Sequence, residues 1–368
     1  MSKRPSYIES HSALRGIAAL TVFLGHLRAF QVITREGIVG RLSEVFDWGS
    51  LAVFLFFILS GFVMSHVYPS PVRWGHFSVA RFARLFPVYE VTTFLLIFLI
   101  YISGDRKQLT ASNLMANLLM TQQWLPVPGW NPLNPPSWSL SVETLLYACV
   151  FPLLVWSRNL SWKKALYFML LVVGVLWGTI YYNYFITTLF HFWRYPILTG
   201  LAGFCLGFAI HGLMDQDLKF PRTLAFLGFT AVVFSLLFRV VQPDNSSHGF
   251  LAVGLVLLVV CSVDPKGLPY RILARPGLIY LGDISYSLYL WHLPVMMIFM
   301  HGCAYISVRF HALSAIFSSR LVECLLIIIF TFAVSTLSYY KLEVPFRRLI
   351  RDRFVRPKAG ATLQYSPS

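Results

Sequence analysis

The chain has 368 residues, 57% of them hydrophobic and only 12% charged, where an ordinary soluble domain carries about 25% charged residues. That excludes a disordered chain, a coiled coil and a water-soluble globule, and the apolar residues fall in blocks of about 20, the length of a bilayer-crossing helix. The net charge of +15, from 30 Lys and Arg against 15 Asp and Glu, would point to nucleic acid in a soluble protein; in a membrane protein the placement of the charges decides.

The pattern predicts an all-α, polytopic transmembrane bundle of about ten spans, at 12–33, 48–68, 86–103, 138–157, 164–184, 193–212, 222–241, 248–263, 283–301 and 321–341. Lys3 and Arg4 resemble the n-region of a signal peptide, but the apolar stretch is too long and no small-residue cleavage site follows, so a retained first helix is expected. With the N-terminus in the cytoplasm, about two thirds of the 30 basic residues fall on the inner side, seven of them from Lys341 onward. This predicts an N-in, C-in topology and accounts for the basic character without nucleic acid as a partner. Residues 1–350 read as one membrane domain and 351–368 as a basic, then polar, cytoplasmic tail. The five cysteines (Cys149, Cys205, Cys261, Cys303 and Cys324) form no CxxC and have no zinc-like spacing, so buried thiols are expected and no metal is implied.

Ionisable groups inside spans are costly, so each is a functional suspect. Span 1, HSALRGIAALTVFLGHLRAF, carries Arg15 at its entrance and His26 11 residues later, nearly on the same helical face and about 16 Å apart along the axis. Gly16, Ala19 and Gly25 let this helix pack closely, and Arg28 can snorkel outward. In span 2, Ser60 and Gly61 mark a close helix contact, while His66 falls at the cytoplasmic boundary. The following loop, RWGHFSVARFARLFPVYE, places Arg81 and Arg84 on one face of any short helix. Two guanidiniums there suit phosphate, although plain positive-inside charge or lipid phosphate accounts for them equally well.

Between spans 3 and 4, residues 104–137 hold Gln122, Gln123, Trp124, Trp130 and five prolines, which forbid a long helix. An ordered outer loop or re-entrant segment is expected, with tryptophans suited either to the interface belt or to a sugar-stacking lid. Span 4 opens PPSWSLSVETLLYACVF, with Ser139 and Glu143 on one face. Ser139 fits a helix cap or a catalytic hydroxyl equally. Glu143 must find a partner in the membrane, and a His26–Glu143 pair would satisfy both groups and orient the imidazole as the carboxylate does in hydrolytic triads. In span 9, LGDISYSLYLWHLPVMMIF, Asp283 resembles an N-cap. His292, before Pro294, reads first as packing, and Pro294 frees a helix carbonyl. Glu90 and Glu323 complete the suspects, and Glu343 can pair with Arg347 in the basic stop that ends span 10.

Six motifs in this order, LRGIAALTVFLGH, FFILSGFV, ARFARLFPVY, WSLSVETLLY, LGDISYSLYLWHLPV and LEVPFRRL, resemble the acyltransferase-3 family of integral membrane acyltransferases over residues 8–350. That family includes O-acetyltransferases of O-antigen, exopolysaccharide, Nod factors and peptidoglycan. The resemblance implies that His26 is the essential intramembrane histidine. It also implies that Arg81 and Arg84 are the Arg-x-x-Arg pair near an acyl-CoA site, joined by Arg15, and that Ser139 and Glu143 are the Ser-x-x-x-Glu motif of span 4. The implied donor is cytoplasmic acyl-CoA, usually acetyl-CoA, and the implied acceptor a carbohydrate hydroxyl on the far side of a bacterial inner membrane. Some relatives append an extracytoplasmic SGNH hydrolase-like domain. About 20 residues follow the last motif here, so transfer is expected to finish in the membrane domain or on a separate glycan-assembly partner.

An acyl thioester is already activated, so the reaction asks for a base, a dry path and support for the tetrahedral intermediate, without a metal. His26 serves either by deprotonating the acceptor or by carrying the acyl group itself. The competing readings are a transporter of a sugar or lipid-linked glycan with His and Glu as proton relays, and a non-catalytic scaffold. A transporter has no reason to be stabilised by CoA, and a scaffold tolerates loss of His26 and Glu143.

Overall fold

The protein was analysed as a computed structural model, which describes residues 7–33, 40, 43–44, 46, 49–104, 106–125, 127–157, 196–215, 248–309 and 319–354. Every regular element among the described residues is helical: α1 (Glu9–Ala29), α2 (Gly49–Val67), α3 (Trp74–Ser103), α4 (Ala111–Leu118), α5 (Pro135–Ser157), α6 (Pro196–Asp215), α7 (His248–Cys261), α8 (Leu268–Leu273), α9 (Pro276–Asp283), α10 (Ser285–Arg309), α11 (Arg320–Ser338) and α12 (Val344–Phe354). Predicted spans 164–184 and 222–241 lie outside the described residues.

Six of the described stretches are long and apolar enough to cross a bilayer: α2, α3, α5, α6, α10 and the run from α11 through α12. Helix α1 has 21 residues but carries Glu9, His11, Arg15, His26 and Arg28, and α7 has only 14 residues, so neither joins that set. The polar groups of α1 are costly in lipid and require neighbours. It packs against α2, α8, α9 and α10, with Ala13, Leu14, Ala18, Ala19, Val22, Phe23 and Leu27 buried.

Small residues set how near the helices come, because lipid supplies no hydrophobic drive between them. A Cβ on Gly61 of α2 would lie 1.9 Å from the Phe204 carbonyl oxygen of α6, and one on Gly207 would lie 1.9 Å from the Ile58 oxygen. The two backbones are therefore in mutual contact, as Ser60–Gly61 predicted. Gly207→Ala is expected to cost about 1–3 kcal/mol through forced separation of α2 and α6, read as a lowered unfolding temperature in detergent. Gly212→Ala on the same helix, where nothing stands within 4 Å, should leave that temperature in place; equal behaviour of the two variants would refute the contact.

Several local expectations change. The third span does not begin at 86: α3 starts at Trp74 and runs through Pro87, so Arg81 and Arg84 lie on a continuous helix rather than in a loop. Pro87 removes one backbone donor, but the aromatic packing of Phe77 on Tyr147 and Phe151 holds the turns before it. Arg28 does not snorkel outward. It is buried and donates from Nη1 to the Gly40 carbonyl at 2.7 Å and to Ser43 Oγ at 2.5 Å, with Glu44 at 3.9 Å. His66, half-buried, faces His211 of α6, with ring nitrogens 3.1 Å apart. Asp283 is the last residue of α9 instead of a cap on α10, and its carboxylate accepts from Tyr7. Cys149 is exposed on the helix surface rather than buried.

The described residues of the 104–137 connection are tied down by hydrogen bonds. It contains the short helix α4, capped by Thr110, whose Oγ1 accepts from Asn113 N. Tyr89 of α3 donates to the Asn117 carbonyl at 2.6 Å, Asn117 holds Asn113, Asn131 and Leu133, and the Trp124 indole donates to the Ser141 carbonyl of α5 at 2.9 Å. Trp124 thus pins the loop to the bundle.

Candidate active site

Helix α5 opens with a tight turn at Pro135–Ser137, continues as α-helix from Trp138 to Leu145 and loosens to a π-helical segment at Leu146–Val150. Such segments recur at functional sites because they re-aim side chains. Ser139 and Glu143 project from its first two turns, and both line a narrow cavity with Arg15 of α1, Ser60 of α2, Arg84 of α3, Tyr147 of α5 and Tyr286 and Tyr289 of α10. Five helices that are distant in sequence therefore deliver their polar residues to one space.

Glu143 is held from two sides. Its Oε1 accepts from Ser60 Oγ at 2.7 Å and from the Tyr147 hydroxyl, and these two hydroxyls lie 2.7 Å apart. A carboxylate that accepts two hydrogen bonds inside the bundle is satisfied without an imidazole. The expected His26–Glu143 pair is accordingly not what the fold builds. Ser139 is not an N-cap either: it sits inside the helix, 3.2 Å from the Pro136 carbonyl and 2.9 Å from the Tyr289 hydroxyl.

The arginines divide around Tyr147. Arg84 and Arg15 face the cavity. Arg81 lines an adjoining, more open groove of about 190 Å³ with Ser78, Phe82, Phe86 and Tyr147. Its guanidinium stacks on the Tyr68 and Tyr147 rings at 5.6 and 5.9 Å and donates to Tyr68 at 3.3 Å, while its Nε and Nη1 are buried without a partner. Arg84 lies within electrostatic reach of Arg15, Arg81 and Arg347, while Glu143 and Glu343 reach Arg15, so among the described residues cations outnumber carboxylates around the cavity. Such an arrangement is costly to keep empty and suits a polyanion, phosphate above all.

His26 lies at the far end of α1 from Arg15, about 16 Å along the axis, and is half-buried. Its Nδ1 is 2.9 Å from the Val22 carbonyl and 3.2 Å from Nε2 of His292, the rings 5.0 Å apart between centroids. His292 is fully buried and is the residue that sequence reasoning set aside as packing; the signal that could have found it is its place two residues before Pro294, within the turn whose backbone bonding the proline interrupts. The freed carbonyl is Leu290, and Asn134, fully buried, donates to it at 3.0 Å. Asn134→Ala is expected to cost about 1–3 kcal/mol by leaving that carbonyl unpaired, seen as a fall in the thermal midpoint; an unchanged midpoint would mean another donor reaches it. Tyr289 joins the two ends of the site, its hydroxyl beside Ser139 and its ring 6.1 Å from that of His292. Glu90 and Glu323 do not line the cavity. Glu343 is buried, accepts from Ser287 and pairs with Arg347, as its spacing predicted.

Comparison with known sequences gives the family. The family described as an acyltransferase domain matches residues 8–340. The chain belongs to the acyltransferase-3 family. Its relatives include the acyltransferase MdmB of Streptomyces mycarofaciens, 36% identical over 43% of this chain and 41% of that protein. The exopolysaccharide production protein ExoZ of Rhizobium meliloti is 30% identical over 68% of this chain and 78% of its own length. The peptidoglycan O-acetyltransferase OatA of Listeria monocytogenes is 22% identical over 93% of this chain, which spans only 56% of OatA. No solved structure matches the chain. Family membership and the apolar helices together make this an integral membrane protein of the acyltransferase class.

Proposed function

We propose that the protein moves an acyl group, acetyl in the first instance, from cytoplasmic acyl-CoA to a hydroxyl of a cell-surface or lipid-linked carbohydrate. The observation that carries this reading is the convergence of Arg15, Arg84, Ser139 and Glu143 on one cavity that Tyr289 also lines, its ring 6.1 Å from that of His292, the neighbour of His26. In the topology we propose, with about ten spans and both termini in the cytoplasm of an inner-membrane protein, the arginines sit toward the donor side and His26 toward the acceptor side.

The dimensions favour this division of labour. The cavity holds about 50 Å³, the volume of one or two water molecules, so a nucleotide stays at the mouth and a thin chain passes inward only as the lining side chains part to admit it. Coenzyme A has that shape: a phosphorylated head that Arg81 and Arg84 flank, and a linear pantetheine arm that carries the thioester toward His26. In the direct route, His26 Nε2 takes the acceptor hydroxyl proton as the oxygen bonds to the thioester carbonyl carbon. The C–S bond then breaks, and the thiolate recovers the proton as the free thiol. In the acyl-histidine route, the same lone pair bonds to the carbonyl carbon first, the C–S bond breaks and the thiolate leaves; the acceptor oxygen then bonds to that carbon, the C–N bond breaks, and the hydroxyl proton passes to the thiolate. Glu143, with Ser60 and Tyr147, balances the arginines when the site is empty.

The reading is tested by incubating membranes containing the wild-type chain with labelled acetyl-CoA and cell-envelope glycans, alongside thermal unfolding of the purified protein with CoA. Label in glycan and a CoA-dependent rise in the unfolding midpoint support it. A folded protein that shows neither, across acetyl, succinyl and longer donors, would overturn it.

A further inference from the structure

His292 has no role in the reaction as described so far, yet the proton positions around it are constrained. The Leu288 carbonyl, 3.2 Å from His292 Nδ1, can only accept, so Nδ1 carries the proton. The ring is fully buried, among Phe23, Tyr289 and His26, with no carboxylate at hydrogen-bond distance among the described residues. A neutral imidazole protonated on Nδ1 bears its lone pair on Nε2. That nitrogen lies 3.2 Å from His26 Nδ1, whose other neighbour, the Val22 carbonyl at 2.9 Å, is also an acceptor. Both groups around His26 Nδ1 therefore call for a proton on it, which leaves Nε2 of His26 as the bare nitrogen.

We infer that His292 is a positioning residue: it locks His26 in the tautomer whose Nε2 is free to react. When Nε2 takes a proton or an acyl group, the positive charge that develops on the ring strengthens the Nδ1–H bond to His292, so the contact is tighter in the transition state than before it. This is the part a carboxylate plays toward histidine in hydrolytic triads, here filled by a second, neutral imidazole, while the available carboxylate, Glu143, stays with Ser60 and Tyr147. The inference rests on the reading of His26 as the reacting group.

The test uses the full chain in membranes and three variants. His292→Leu removes the acceptor at similar volume. His292→Gln returns an acceptor oxygen near the place of Nε2, and His26→Ala reports on the parent reading. His292→Leu is expected to lower kcat about 100-fold, as loss of an orienting partner does, with KM for acetyl-CoA unchanged, and His292→Gln to recover most of that loss. Nitrogen-15 NMR of histidine-labelled wild-type protein should show His26 protonated on Nδ1 and bare on Nε2. Equal losses in the Leu and Gln variants, unaltered kcat in both, or a wild-type His26 protonated on Nε2 would each overturn the inference. An active His26→Ala enzyme overturns the parent reading; an inactive His26→Ala beside a fully active His292→Leu overturns the inference alone. Should both His292 variants fail to fold, the wild-type tautomer still decides.

Discussion

Replacing His26 by alanine is expected to leave a folded protein whose acyl transfer falls by about a thousandfold or more, in the range that general bases and nucleophiles supply. The expectation follows from position. His26 is held by a backbone carbonyl and by His292, and the bonded nitrogen is Nδ1 in both cases. Its other nitrogen has no such partner among the described residues and can meet the hydroxyl or the thioester. Alanine keeps the helix and removes a half-buried ring, so a loss of activity without a loss of accumulation in the membrane is the outcome that separates chemistry from packing. The measurement is initial-rate transfer of label from acetyl-CoA at saturating acceptor, normalised to folded protein. A His26→Ala enzyme within tenfold of wild type would remove both the base and the acyl-carrier route.

Replacing Arg84 by alanine is expected to raise KM for acetyl-CoA by about 10- to 150-fold, the equivalent of one or two charge-assisted hydrogen bonds to phosphate. Arg84 faces the cavity beside Arg15 and lies within reach of the Arg81 charge, so its removal should relieve repulsion in the empty protein. The variant should consequently be at least as stable as wild type without ligand and gain less from CoA on heating. Lysine at the same position should restore only part of the affinity, because an ammonium is a point charge and cannot present the planar fork. A variant with unchanged KM and an unchanged response to CoA would show that the phosphates bind elsewhere.

The chemistry of the pocket also explains why the acid of the Ser-x-x-x-Glu pair is not the partner of the histidine. Tyr147, four residues after Glu143, returns its hydroxyl to the carboxylate, and Ser60 of α2 completes the set. With those two bonds the carboxylate is retained as the counter-charge of an arginine-rich cavity, where breaking it would leave buried like charges facing each other.

Composition and hydrophobic periodicity alone established an all-helical membrane protein, because apolar blocks near 20 residues have no other stable form in lipid. Ionisable residues inside those blocks, Arg15, His26 and Glu143, were legible as suspects for the same reason: each is expensive unless used. The ordered motifs made the family legible as well, and residues 8–340 match it. The partners of the suspects were not legible. The span over 86–103 gave no sign that α3 begins at Trp74, since Pro87 marks a boundary in sequence and is absorbed in the fold by aromatic packing. His292 stands 266 residues from His26, and Asn134 stands 156 from the carbonyl that Pro294 frees. Side-chain periodicity reports which face of a helix is apolar, but not which helix lies opposite it or at what height. The tertiary structure alone sets those heights, through close approaches such as Gly16 and Gly282 between α1 and α9 and Gly61 and Gly207 between α2 and α6, and in it the histidine meets a second histidine and the glutamate a serine and a tyrosine.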